Sequence, residues 1–193
     1  ANEFKIDGYL EYLTGLEYVS RNIIKNVGQI YIARGKKNLL FFDAGAPPEK
    51  KFSKSYQSGP LSFEYFIDDR KIITNCGFGN KISKKAELIS RLTSAQSTLC
   101  LNDSSVVKFE RNNLINNAFG TSITNSFKVS DLSIDENKDF FTLAAKHNAY
   151  ENNFNYTHQR VIKINKKNSN LLGEDKLTSI NKDNKLSNMY SIR

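Results

Sequence analysis

The chain has 193 residues, with 28 Lys and Arg against 20 Asp and Glu for a formal charge of +8, and its 11% of aromatics are Phe and Tyr without Trp. That length suits one strand-rich domain with an aromatic core. Two cysteines, Cys76 and Cys100, exclude a disulfide framework, and the lack of CxxC or His-rich spacing excludes a zinc module of the usual kind.

In chain order, residues 1–25 stand apart. Leu10, Leu13, Leu16 and Val19 recur near helical spacing, but Gly8 and Gly15 interrupt, which predicts a broken helix or linker. From residue 26 to 193 the texture is that of one β domain. Gly28 to Arg34 alternates through Ile30 and Ile32, Gly35-Lys36-Lys37 turns, and Asn38 to Asp43 returns, a hairpin. The Pro47-Pro48 stretch with Lys50, Lys51 and Lys54 reads as an exposed loop.

The clearest hairpin follows. Leu61, Phe63, Tyr65 and Ile67 alternate, Asp68-Asp69-Arg70 turns, and Lys71 to Thr74 returns, with Gly59-Pro60 and Asn75-Cys76-Gly77 as punctuation. Ala86 to Leu92 predicts a short helix. Strands are then expected at 97–101, 106–110, 127–129, 140–147, 156–164 and 171–180, with a long loop over 111–126. Short strands at this spacing predict an all-β, antiparallel two-sheet β-sandwich with a short N-terminal helix or linker. The closing Met189 to Arg193 reads as the start of another strand, so the domain reads as truncated at its C-terminus.

Chemistry rests on few residues. There are two histidines, His147 and His158. Period 2 places Tyr156, His158 and Arg160 on one strand face. A His near a Tyr can serve as base and acid, whereas the structural alternative is a hydrogen-bonded sheet surface. Asp43 and the Glu174-Asp175 pair read as turn and ladder residues, and the cysteines as small buried residues at strand ends. No nucleophile elbow, phosphate-cradling Gly loop or metal-ligand cluster is written in the sequence. The net charge would draw a polyanion, but the lysines are scattered through Asn-rich loops without an aromatic-basic face, which argues against nucleic acid. No apolar run is long enough to span a membrane. With no signal peptide in these residues, the compartment stays open between periplasm and cytoplasm.

An ordered set of short motifs carries a resemblance. Asp43-Ala-Gly-Ala-Pro-Pro48, Gly59-Pro-Leu-Ser-Phe-Glu64, Asn75-Cys-Gly77, Ala95-Gln-Ser-Thr-Leu99, His147-x-x-Tyr150, His158-x-Arg160 and Gly173-Glu-Asp-x-Leu177 together resemble the C-terminal β-sandwich domain of heparinase II/III-like polysaccharide lyases, over roughly residues 28–193. The resemblance implies an N-terminal α/α-toroid domain in the parent chain as partner, an acidic polysaccharide as substrate, and β-elimination as the reaction. Such chemistry needs a base for the C5 proton, an acid for the leaving oxygen and neutralisation of the uronate carboxylate.

In the family, the resemblance further implies, the sandwich supplies a catalytic His and a zinc site. Carried onto this sequence, the His-x-His pair falls on Ser55 and Gln57, the metal-binding Asp on Asn75 and a later His on Gln96. Amides are poor zinc ligands, so no cofactor is expected. Gln57, Asn75 and Gln96 are expected instead to form a polar, substrate-binding cluster in which they hydrogen-bond one another. His147, Tyr150, His158 and Arg160 are the catalytic candidates, adding polar groups to the substrate. Two readings stand: the sandwich domain of a lyase-like protein, inactive as a fragment, or a non-catalytic carbohydrate-binding or structural module.

Overall fold

The computed structural model describes residues 15–16, 26–68, 70–111 and 120–180. The expected broken helix or linker over 1–25 lies outside the described residues save for 15–16, and so does the expected strand at 189–193. Among the described residues, nine strands form two antiparallel sheets, each a meander: five strands in the order β1-β2-β3-β4-β5 and four in the order β6-β7-β8-β9. The first sheet comprises β1 (Asn26–Val27), β2 (Ile30–Arg34), β3 (Asn38–Asp43), β4 (Phe63–Ile67) and β5 (Arg70–Ile73). The second comprises β6 (Val129–Glu136), β7 (Phe140–His147), β8 (Tyr156–Asn165) and β9 (Leu171–Ser179). The chain is an all-β, two-sheet sandwich, as the alternation predicts.

Alternation decides which side chains meet between the sheets. In β3, Leu40 and Phe42 turn inward, and Leu39, Phe41 and Asp43 turn outward. Tyr65 of β4 joins the inner row. From the second sheet come Phe141, Leu143 and Ala145 of β7, with Ile162 and Ile164 of β8. These side chains form one core, each fully buried aliphatic stabilising by about 1.5–3 kcal/mol. Polar staples fix the sheets to each other at its edge. Asn38 donates through Nδ2 to the carbonyls of Asn165 (2.8 Å) and Asn168 (2.7 Å), and the Tyr65 hydroxyl donates to Ser169 O at 2.9 Å.

Residues 74–128 link the sheets and hold a second core of Leu99, Leu101, Val106, Val107, Ile123 and Phe127 with Tyr150 and Tyr156. The predicted helix is present at Lys84–Ser90, where Ser83 Oγ caps it by accepting from Ala86 N at 3.1 Å. The strands expected at 97–101 and 106–110 are not formed. Their apolar residues are buried as a strand's would be, but their backbone groups bond to side chains: Val106 N donates to Thr93 Oγ1 (3.0 Å), and Leu99 O accepts from the Tyr150 hydroxyl. Only an isolated bridge, Phe109 to Ile123, remains. Arg91 organises this region from full burial, with three donors spent on the carbonyls of Tyr56, Thr121 and Ser53 at 2.7–2.9 Å.

β6 is longer than the strand expected at 127–129. It is an edge strand with seven of its eight residues exposed, and the alternating Leu132 and Ile134 are exposed with the rest. Asp131, with φ +54°, sits at a bulge in its pairing with β7. Of the cysteines, Cys100 is buried as expected, but Cys76 is exposed, because the loop after β5 carries it to the surface.

Candidate functional site

Two polar groupings stand out, one between the sheets and one on the outside. The inner one begins where the core row of β7 and β8 changes character. Register pairs Phe141 with Ile164, Leu143 with Ile162, Ala145 with Arg160 and His147 with His158. The same inward row is thus apolar at one end and polar at the other, and the small Ala145 leaves room for the guanidinium opposite it. β9 then brings Asp175 opposite Arg160.

The hydrogen bonds form a directed chain. Ala149 N donates to His147 Nδ1 at 3.1 Å, so that nitrogen carries no proton and His147 Nε2 does. His147 Nε2–H then donates to His158 Nδ1 at 2.9 Å, and His158 Nε2–H to Asp175 Oδ1 at 2.7 Å. Both imidazoles are therefore the neutral Nε2–H tautomer. Arg160 grips the same carboxylate with a fork, Nε to Oδ1 at 2.7 Å and Nη2 to Oδ2 at 2.8 Å. Its remaining nitrogen, Nη1, donates to Leu61 O (2.9 Å) and Ser97 O (2.7 Å), which ties the second sheet to the loop edge of the first. The Tyr150 ring packs 5.3 Å from that of His147.

Electrostatics follow from burial. His158 is 0% and His147 1% exposed. Desolvation holds His147 well below the ordinary histidine range, and the nearby His158 and Arg160 charges push the same way, against Asp175. Desolvation likewise lowers His158, in spite of its bond to Asp175. For Asp175, burial raises the carboxyl, but the hydrogen bonds from His158 and Arg160 outweigh it and hold the group well below the usual carboxylate range. Burial pushes the Tyr150 phenol up.

The structure therefore brings together all four catalytic candidates, His147, Tyr150, His158 and Arg160, buried, with their polar atoms met by protein partners. Through Arg160 they tie the second sheet to the loop edge of the first. Sequence reasoning missed Asp175 by treating it as a ladder residue. The usable signal was period 2, which puts Asp175 on the face of Leu171 and Leu177, directly across from an arginine that burial would leave in need of a counter-charge.

The outer grouping is a cleft of about 490 Å³ on the exterior of the five-stranded sheet. Phe41 and Asp43 of β3 and Glu64 and Phe66 of β4 form its floor, and Gln57, Ser62 and Asn75 enter from the flanking loops. Asp43 Oδ1 accepts from Gly45 N at 2.8 Å, yet desolvation raises its carboxyl to about 6 against that bond. Glu64 Oε1 accepts from Thr74 Oγ1 (3.0 Å) and Asn75 N (3.2 Å), and Lys71 Nζ stands 3.8 Å from Oε2, placing a cation on the rim. Gly59 lets the chain pass closely here, since a Cβ on it would lie 2.9 Å from Ser62 Oγ and 3.0 Å from Gln96 Cβ.

Of the residues where the resemblance implies metal ligands, Gln57 and Asn75 line this cleft, Ser55 is exposed at the end of the 3-10 turn Lys50–Ser55, and Gln96 is buried. The expected mutual bonding of the amides is not what forms. Gln96 Nε2 donates to Ser90 O at 2.8 Å, and Asn75 Oδ1 accepts from Ser97 N at 2.8 Å, because the backbone of the intervening turns offers nearer partners. This donor set does not fit zinc, which takes imidazole, thiolate or carboxylate: the Asn75 oxygen is already committed. Among the described residues no group of three or more His, Cys, Asp or Glu is arranged to hold a metal ion.

A family model described as Heparinase II/III-like, C-terminal matches residues 23–192, and the chain belongs to that family. No curated protein and no solved structure matches it. No helix among the described residues is long and apolar enough to cross a membrane.

Proposed function

We propose that this domain is the substrate-facing sandwich half of a lyase that cleaves uronate-containing polysaccharides by β-elimination, and that it meets the polymer at the outer cleft without a metal. The observation that carries this reading is that Gln57 and Asn75, at positions where the family resemblance implies metal ligands, share one cleft with Asp43, Glu64, Phe41 and Phe66. Hydrogen-bonding amides and carboxylates around aromatic rings suit a sugar, whose hydroxyls need polar partners and whose C–H face needs an apolar one.

In the elimination a base takes the C5 proton, its electrons form the C4–C5 double bond, the C4–O4 bond breaks and the leaving oxygen takes up a proton. The base comes from the toroid of the parent chain, since neither His nor Tyr is among the residues lining the cleft. That same lining favours a second reading, a non-catalytic carbohydrate-binding module.

The test is to incubate the full-length protein with alginate, heparan-type and pectin-type polyuronates and to follow unsaturated-uronate absorbance. Turnover of at least one polymer is expected, insensitive to chelators. Salt-sensitive retention without turnover favours the binding module, and stoichiometric zinc in the purified protein overturns the metal-free assignment.

A further inference from the structure

The buried chain and the outer cleft are joined through one residue. Asp175 occupies Nε and Nη2 of Arg160, which leaves Nη1 to hold Ser97 by its carbonyl at 2.7 Å. Ser97 in turn holds Asn75: its backbone N–H lies 2.8 Å from Asn75 Oδ1, and its hydroxyl, also bonded to Phe63, lies 3.0 Å away. A backbone N–H can only donate, so the amide atom facing it is the oxygen. The amide nitrogen is thereby turned the other way, 3.5 Å from Ser62 Oγ, too long for a strong bond, and both residues line the cleft.

We infer that Arg160 is a positioning residue for the cleft: through Ser97 it fixes Asn75 with its amide nitrogen toward the cleft, so that this wall offers a donor to an acceptor oxygen on the bound sugar. The inference rests on the cleft being the sugar site. It reverses the polarity of the position, since a metal-binding Asp presents acceptor oxygens and this Asn presents N–H. An uncharged donor there suits a uronate carboxylate or a ring hydroxyl, and it explains how the position stays useful without a metal.

Two measurements test it. In the full-length protein acting on a polyuronate, Asn75→Ala raises KM about 10-fold, the effect of losing one hydrogen bond to a charged acceptor. Arg160→Lys, which keeps the charge but loses the fork, raises KM by a similar factor, and the double variant is no worse than Asn75→Ala alone. Additive effects on KM, or a folded Arg160→Lys with unchanged KM, overturn the inference. A merely structural Arg160 would lower the melting temperature and leave this coupling at zero.

The second measurement does not depend on catalysis or on Arg160→Lys folding. The side-chain amide proton pair of Asn75, assigned by its loss in Asn75→Asp, shifts on addition of hexagalacturonate and shifts again in Ser97→Ala. If it also responds to the carboxyl-reduced hexasaccharide, the acceptor is a hydroxyl; if not, a carboxylate. An amide pair that ignores both sugars overturns the inference. A protein inactive on every polyuronate, with the amide shifts intact, overturns the lyase reading and leaves the positioning in place.

Discussion

The inner polar chain and the outer cleft are built from the same kinds of residue, yet they handle them in opposite ways. Between the sheets, each carboxylate oxygen, imidazole nitrogen and guanidinium nitrogen of the His147–His158–Asp175–Arg160 chain has a partner at 2.7–3.1 Å. In the cleft, among the described residues, Asp43 is desolvated with a single backbone donor and Gln57 makes no side-chain hydrogen bond. Saturated polar groups hold a fold together; unsaturated ones are available to a ligand. The contrast sets the histidines, buried and bonded within the framework, apart from the plainer residues that line the proposed sugar cleft.

The largest effect tests the saturated side. Asp175→Ala leaves Arg160 Nε and Nη2 and the His158 Nε2–H without their acceptor, while Arg160 Nη1 keeps the carbonyls of Leu61 and Ser97. A loss of about 3 kcal/mol is expected in urea unfolding, toward the low end for a broken buried pair because the Asp175 side chain is 31% exposed. A loss under about 1 kcal/mol would show that solvent, not Asp175, satisfies the arginine. Acid should attack the same chain. Both histidines have folded values depressed below the unfolded value of about 6.5. Their neutral forms therefore stabilise fully above about pH 6.5, and that stability is lost as the pH falls below it toward the folded values, by at most about 1.4 kcal/mol per pH unit for each histidine. Urea midpoints between pH 7.5 and 5 measure this, and a flat profile would mean that the chain accepts protons while folded.

How much of this was legible in the sequence follows the same division. β7, which alternates strictly, matches its predicted span from Phe140 to His147, because one buried face enforces period 2. β6 was read only at its start because its alternation, Leu132 and Ile134 between Asp131, Ser133 and Asp135, is short and lies on an exposed edge strand. Residues 97–110 looked like strands because burial was legible and hydrogen-bond partners were not: Thr93 and Tyr150 supply them from far along the chain. The cluster of His147, Tyr150, His158 and Arg160 could be named from spacing, but its burial could not, and Asp175 joins it only through a strand register. Gln57 and Asn75 were found because a family resemblance pointed to their positions; nothing in an isolated Gln or Asn marks a cleft.

On the unsaturated side the sign of the pH effect reverses. Burial raises Asp43 to about 6 in the folded chain, above its unfolded value of about 3.9. Its contribution is fully present below the unfolded value and is lost as the pH rises through about 6, so at neutral pH the ionised carboxylate is a cost. Asp43→Asn should therefore stabilise the domain by about 1–2 kcal/mol at pH 8 and by almost nothing below pH 4. The same variant removes a carboxylate that opposes the histidines between pH 4 and 6, so their acid response is best measured in its background. A destabilised Asp43→Asn at pH 8 would show that the carboxylate has a partner stronger than Gly45 N.

The smallest expected change separates framework from site most cleanly. Gln57 is half-buried on the cleft wall, and among the described residues its side chain makes no hydrogen bond. Gln57→Ala removes no hydrogen bond from the protein and opens no sealed cavity, so unfolding free energy should move by less than about 0.5 kcal/mol. If the cleft holds the sugar, the same substitution should still raise KM several-fold in the full-length protein, because a bound hydroxyl then loses its partner. Stability unchanged with affinity lowered is the signature of a group kept for a ligand. Stability lowered with affinity unchanged would move Gln57 to the side of the buried chain, where polar atoms serve the fold.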